Sequence, residues 1–284
     1  MTPDTALDGD ALTLGFGRQV VVDGISVSLR PHLVTALIGP NGSGKSTLLR
    51  SLARLHRPRS GTITLTGTDG AAPRPIDSFH ARDFAREVTL FSQSRPAPQG
   101  LTVREVVAFG RHPYRRRFAG LDDEDRAAIA HALDVTGLVA SAERAASELS
   151  GGEVQRVWIA ACLAQDTGIV LLDEPTNHLD LRYQVEILDL VRDLAHGHGA
   201  AVGIVLHDLD HAALVADELL LLSNGTVHAA GAPLDVLTSE HLSEVYGIRV
   251  DVDVDPRTGR LRIDPVGRHT GPPRSPDSTR EDHQ

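Results

Sequence analysis

Residues Gly39-Pro40-Asn41-Gly42-Ser43-Gly44-Lys45-Ser46-Thr47 fit the spacing G-x-x-x-x-G-K-[ST] and stand between an apolar run (33–38) and a helical pattern (46–55). Strand, glycine loop, helix is the setting in which this spacing cradles a polyphosphate. The glycines let successive backbone N–H groups turn inward, beside the positive end of the following helix dipole. Lys45 adds a compact charge for the terminal phosphates, and the Ser46 hydroxyl is placed to ligate Mg²⁺. At average residue usage the pattern arises by chance in about one chain in a hundred of this length. Lys45 is also the only lysine in the sequence, every other fixed cation being arginine. Lysine is retained where a small ammonium must fit among phosphates.

The remaining features must be compatible with that loop. At 284 residues the chain is long enough for one large α/β domain with an insertion, or for two domains. A net charge of −10 argues against a general nucleic-acid binder. There is no run of eighteen apolar residues, and the N-terminus lacks a basic and apolar leader, so neither a membrane span nor secretion is expected. A single cysteine, Cys162, cannot form an internal disulfide; it falls on an apolar helical stripe and reads as a buried, inert thiol.

Taken in order, 11–16 and 20–29 read as two strands about the turn Gly17-Arg18. Phe16 reads first as a core aromatic, and alternatively as a ring that could stack on adenine one hairpin ahead of the phosphate loop. A strand at 87–92 ends at Gln93. From 94 to 148 the β-branched runs vanish in favour of helices at 102–110 and 122–136, the second opening on acids that suit a helix N-terminus, so a helical insertion is expected. Within it, the cluster 111–117 (Arg-His-Pro-Tyr-Arg-Arg-Arg) reads as a solvated face, or as one that meets acidic groups or lipid.

Leu149-Ser150-Gly151-Gly152-Glu153 opens a helix through a Ser150/Glu153 capping box. Two glycines in a first turn cost about 1 kcal/mol each against alanine, which suggests that a phosphate approaches the backbone there. Residues 168–172 are fully apolar, as in a parallel strand buried on both faces, and end in Asp173-Glu174. At that end Asp173 would hold Mg²⁺, and Glu174 would face the γ-phosphate as a base for water. After the turn 175–180, Leu181, Val185, Leu188 and Val191 share one helical face. A second buried strand, 200–206, closes on His207, on the same sheet edge as Glu174. Asn224-Gly225 marks a hairpin, and 248–254 with 260–263 a terminal one in which Asp251 and Asp253 face Arg260 and Arg262.

As an ordered set, the phosphate loop, Gln93, Leu149-Ser-Gly-Gly-Glu, Asp173-Glu174, Thr176 to Asp180 and His207 resemble the ATPase subunit of ABC transporters over about residues 10–264. The resemblance implies an α/β P-loop NTPase (RecA-like) core with an N-terminal antiparallel β subdomain, a helical subdomain inserted at about 94–148, a C-terminal hairpin at about 248–264, a flexible 1–9 and a disordered 265–284. It implies ATP and Mg²⁺ as ligands. Residues 39–47 would hold the phosphates, Phe16 the adenine, and Ser46, Gln93 and Asp173 the metal, with Glu174, His207 and Gln93 serving hydrolysis. Two copies would pair head to tail, so that Ser150, Gly151 and Gly152 of one complete the site of the other and Asp180 ties the two sites together. Gly110-Arg-His-Pro113, with Thr176-Asn-His-Leu-Asp180, resembles the importers of iron siderophores, haem and cobalamin, and Asp255-Pro-Arg-Thr-Gly259 is similar to the tail of the siderophore group. That implies a peripheral subunit on the cytoplasmic face of the membrane, gripping a permease through the helical insertion, chiefly 93–118, and served by an extracytoplasmic binding protein, with no nucleic acid partner. A ferric siderophore is the expected cargo. A haem or cobalamin importer, or a soluble ABC ATPase of the iron–sulfur assembly or DNA-repair kind, are the alternatives. Two positions depart from the family's commonest pattern: Phe16 stands where tyrosine is frequent, and Glu153 where glutamine is.

Overall fold

The computed structural model describes residues 5–67, 72–92, 98–115, 120–177 and 179–267. Its first layer is antiparallel. β1 (Ala6–Phe16) pairs with β2 (Gln19–Leu29), and on its other side with a strand later in the chain. β1 begins inside the segment expected to be flexible because Leu7 is fully buried between Leu29 and Leu65. Then come β3 (Val34–Ile38), buried at every residue, the loop, and α1 (Lys45–Leu52), whose Leu48, Leu49 and Leu52 seat on the underside of the first layer. β4 (Ser60–Thr66) and β5 (Arg74–Pro75) complete that layer in the order β2-β1-β4-β5.

α2 (Ala81–Glu87) leads into β6 (Val88–Phe91) and then the helical region: α3 (Val103–Val107), α4 (Asp123–Val135) and α5 (Gly151–Ala164). These share a core of their own, built from Val103, Val106, Val107, Ile129, Leu133 and Val157. Side-chain capping boxes open all three, at Thr102/Glu105, Asp122/Asp125 and Ser150/Glu153. The cluster expected on a solvated face splits. Arg111 is 1% exposed, donating from Nε to Asp125 Oδ1 at 2.8 Å and from a guanidinium nitrogen to Ala164 O at 3.1 Å, with its guanidinium 3.9 Å from the Tyr114 ring. Beside it a Cβ on Gly110 would lie 2.0 Å from the Ala161 carbonyl, so only glycine lets this turn lie against α5. The Gly110-Arg111 pair thus fastens the helical region from within.

The second half alternates strand and helix: β7 (Ile169–Asp173), α6 (Leu181–Arg192), β8 (Ala201–Val205), α7 (Leu209–Val215), β9 (Glu218–Ser223) and β10 (Thr226–Gly231). α6 buries only the later half of the face expected of it. Leu181 and Val185 are 73% and 43% exposed, whereas Ile187, Leu188, Leu190 and Val191 enter the core. The first turn of the helix projects past the sheet and packs on α5 through Tyr183 instead. The six-stranded sheet runs β10-β9-β3-β8-β7-β6, parallel except for β10, which returns through the turn Asn224-Gly225 with both residues at positive φ. α8 (Pro233–Val236) and α9 (Ser239–Tyr246) precede the hairpin β11 (Val250–Val254) and β12 (Leu261–Pro265). Its register sets Asp253 opposite Arg262 as expected, but Asp251 opposite Asp264. Arg249 neutralises Asp251 and Arg262 neutralises Asp264, each along its own strand. β12 runs through Pro265, and Val266 still donates to Arg249 O, so order extends past the expected boundary; 268–284 lie outside the described residues.

Candidate active site

Strand register decides what meets at the sheet's C-terminal edge. Leu37 of β3 pairs with Val205 of β8, and Val205 pairs with Asp173 of β7. The residues just beyond, Gly39 onward, His207 and Glu174, therefore leave the sheet side by side, at the edge where open α/β sheets bind ligands.

The loop is shaped for an anion. Gly39, Gly42 and Gly44 have φ of 137°, 82° and 102°, and a Cβ on Gly39 would fall 2.1 Å from Leu222 O. Gly44 is the N-cap of α1 and, unlike the capping boxes, supplies no side-chain acceptor, so the first N–H groups of the helix face the loop. Lys45 curls back, Nζ donating to Gly39 O at 2.7 Å and Pro40 O at 2.9 Å. Burial holds its ammonium below the usual lysine value, partly offset by the Glu174 and Asp173 carboxylates. The Ser43 hydroxyl is buried without a hydrogen-bond partner among the described residues. Donors aimed into a concavity, a lysine held on carbonyls and an unpartnered hydroxyl fit a polyphosphate.

Ser46 Oγ donates to Asp173 Oδ1 at 2.7 Å, joining the loop to the end of β7. These are hard oxygen donors of the kind Mg²⁺ takes beside substrate phosphates. Among the described residues no three His, Cys, Asp or Glu side chains form a metal cage. Glu174 has φ 54°, a left-handed conformation held by its N–H donating to Val205 O at 3.2 Å. Such conformations cost about 1–3 kcal/mol and concentrate at functional sites. Its Oε1 lies 2.6 Å from His207 Nε2. A carboxylate offers only acceptors, so the imidazole Nε2–H is the donor. Asn177 Nδ2 donates to the other oxygen.

The expected residues are thus partly brought together. Residues 39–47, Asp173, Glu174 and His207 form one site. Ser150 caps α5 at a distance from it, and Asp180 caps α6, accepting from Tyr183 N–H at 3.1 Å. The costly glycine pair divides. A Cβ on Gly152 would strike the Tyr183 ring at 2.6 Å, a packing reason within the chain, whereas Gly151 faces open space. Glu153, bonded to the Ser150 backbone N–H and hydroxyl, is held below the usual glutamate value by those two bonds in that order. Phe16 is not a core residue: it is 58% exposed, with its ring 4.6 Å from that of His56. Gln93 lies outside the described residues.

Three neighbours carry roles that the sequence alone does not assign. Arg50 donates to Asp173 Oδ2 at 3.2 Å; its position four residues after Ser46 on α1 put it on the same helix face, which is the signal that finds it. Asn177 holds Glu174 from within one turn. Tyr246 of α9 reaches the Gly39 backbone; burial pushes its hydroxyl pKa up and that contact partly offsets the rise. Nothing near Tyr246 in sequence announces it.

Comparison with known proteins agrees with this geometry. A family model described as ABC transporter matches residues 22–177. The chain is 41% identical to the iron(3+)-hydroxamate import ATP-binding protein FhuC of Bacillus subtilis, over 90% of this chain and 93% of that one. It is 40% identical to the ferric enterobactin transport ATP-binding protein FepC of Escherichia coli, over 94% and 97%. Among solved structures, an inward-facing putative metal-chelate type ABC transporter superposes with a TM-score of 0.79 at 26% identity, covering 93% of this chain and 98% of that one.

Proposed function

This chain belongs to the ABC transporter family, and we propose that it powers uptake of a ferric siderophore through a membrane permease by hydrolysing ATP at the edge formed by β3, β7 and β8. It is an ATP-binding subunit of the importer kind, and such subunits hydrolyse ATP. The observation that carries the site assignment is the 2.7 Å contact of Ser46 with Asp173, flanked by the Glu174–His207 pair.

Phosphoryl transfer asks little covalent work of a protein and much positioning. Lys45 exchanges its two carbonyl contacts for phosphate oxygens, so its charge is already desolvated where it is needed. Magnesium, when bound, supplies charge neutralisation at the phosphates, and Ser46 and Asp173 would hold it, with Gln93 as a third expected ligand. Glu174 takes the proton of the attacking water. His207 fixes its carboxylate in place, and the strained backbone of Glu174 keeps the group from folding back onto the sheet.

Ser150, Gly151 and Gly152 of a second copy would complete the γ-phosphate site of the first. The open space at Gly151 supports this reading, and Asp180 would link the two sites. The helical region would meet a permease helix on the surface beside Phe91, where Phe109 is half exposed and stacked on Trp158 and a concavity of about 110 Å³ could take one side chain of that helix. Among the described residues no helix is long and apolar enough to cross a membrane; attachment to the membrane's cytoplasmic face would come through the permease.

The cargo reading rests on relatives whose names carry iron hydroxamate and enterobactin. It is tested by uptake of radiolabelled ferric siderophores in a strain lacking this chain. Loss of uptake, restored by the wild-type chain and not by Glu174→Gln, is expected. Undiminished iron uptake with lost cobalamin or haem uptake would reassign the cargo, and a chain that fractionates away from membranes would overturn the importer reading.

A further inference from the structure

Phe16 is more than half exposed at the tip of the β1–β2 hairpin, and its ring has one ring neighbour. The His56 ring lies 4.6 Å away, inclined at 49°, and its Nε2 is buried without a hydrogen-bond partner among the described residues. Leaving an imidazole nitrogen unpaired is unfavourable, so a ring retained there is retained for its face rather than for its polar atoms. Three residues on, Arg59 donates from one guanidinium nitrogen to Gly17 O at 3.0 Å and Gln19 O at 2.7 Å, and from its backbone N–H to Thr13 O at 2.8 Å. The two carbonyls flank the hairpin turn. His56 and Arg59 both belong to the connection that leaves α1, the helix opened by the phosphate loop. The hairpin that carries Phe16 is therefore fastened to the connection that follows α1.

We infer that His56 is a positioning residue for the nucleotide base: it backs the Phe16 ring so that the opposite face is preset, at a fixed offset from the phosphate loop, to receive adenine. The inference rests on the reading of Phe16 as the adenine contact and extends it to a residue that does not itself touch the base. An exposed phenylalanine on a hairpin tip would otherwise lose rotational freedom each time a base stacked on it; a second ring removes that freedom in advance. It also accounts for phenylalanine where a hydroxyl is absent, since the ring is oriented by its inclined contact with His56 rather than by a hydrogen bond.

The test is calorimetric titration of the full chain with ADP and, separately, with inorganic pyrophosphate, which engages the loop but has no base. His56→Ala is expected to weaken ADP about three- to tenfold, the range of an aromatic pair, and to leave pyrophosphate unmoved. His56→Phe restores ADP affinity because a planar ring suffices. In steady-state ATP hydrolysis the change appears in KM rather than in kcat. Equal weakening of ADP and pyrophosphate would show that His56 acts through the fold or the loop and would overturn the inference, as would ADP affinity unchanged in His56→Ala. Phe16→Ala separates the two layers: if it weakens ADP while His56→Ala does not, only the positioning role fails. If Phe16→Ala leaves ADP unaffected, the adenine contact fails and the inference with it.

Discussion

Replacing Arg111 with alanine removes the partner of a carboxylate that stays buried. Arg111 and Asp125 are 1% and 2% exposed, and breaking such a pair from one side costs about 3–5 kcal/mol because an uncompensated charge remains. The structure places this case near the lower bound. Asp125 also accepts from the Asp122 N–H at 3.3 Å as half of the α4 capping box, and so is not wholly abandoned. The second carboxylate near Arg111, Glu124 at 3.7 Å, is largely exposed and adds little. A loss of about 3 kcal/mol, at about 2–4 °C per kcal/mol for a chain of this size, lowers Tm by about 6–12 °C. Circular dichroism melts measure it, with hydrogen exchange locating the loss to α4 and α5. The double variant Arg111→Met with Asp125→Leu should recover most of the stability, since no buried charge is left. A single variant melting within about 2 °C of wild type, or a double variant no better than the single, would refute the argument that this pair fastens the helical region.

Other expectations follow from single contacts. Gly110→Ala pushes a methyl to 2.0 Å from the Ala161 carbonyl; a backbone obstacle cannot rotate away, so destabilisation at the upper end of the usual overpacking range of about 1–3 kcal/mol is expected in thermal melts. Lys45→Ala should weaken ADP by at least about tenfold while barely moving Tm, because the buried ammonium is already disfavoured in the folded chain; a large drop in Tm would give Lys45 a structural role instead. Glu153, held below the ordinary glutamate pKa by Ser150, contributes its capping stability fully above that ordinary value and loses it as pH falls through the depressed one. The gap between wild type and Glu153→Gln, under about 1 kcal/mol, should therefore close in acid denaturant melts, and widening there would contradict the sign.

What could be read from the sequence was local. The phosphate loop, the Ser150/Glu153 box and the apolar run ending in Asp173-Glu174 each carry their meaning within a few residues. Parallel pairing then follows, because strands apolar throughout must be covered on both faces. Where the reading missed, distant partners decided. For Arg111 the sequence leaves a solvated face and an acidic partner both open, because its carboxylate lies fourteen residues on, among the acids that open α4. Leu181 and Val185 fit a helical stripe, but periodicity cannot say where the sheet beneath α6 ends. Phe16 read first as core because an aromatic in a strand usually is; its exposure follows from standing at the hairpin's last paired position, opposite Gln19. Gly152 has a further reason to be glycine that its sequence neighbours do not show: a Cβ there would meet the ring of Tyr183, thirty-one positions away.

The central claim is that hydrolysis depends on the Glu174 carboxylate poised by His207 at the end of β7. Steady-state ATP turnover by Glu174→Gln, measured beside ATP affinity in the same preparation, addresses it most directly. Turnover reduced by about 10²–10⁴ with affinity retained is the expected result. Hydrolysis at the wild-type rate would contradict the account.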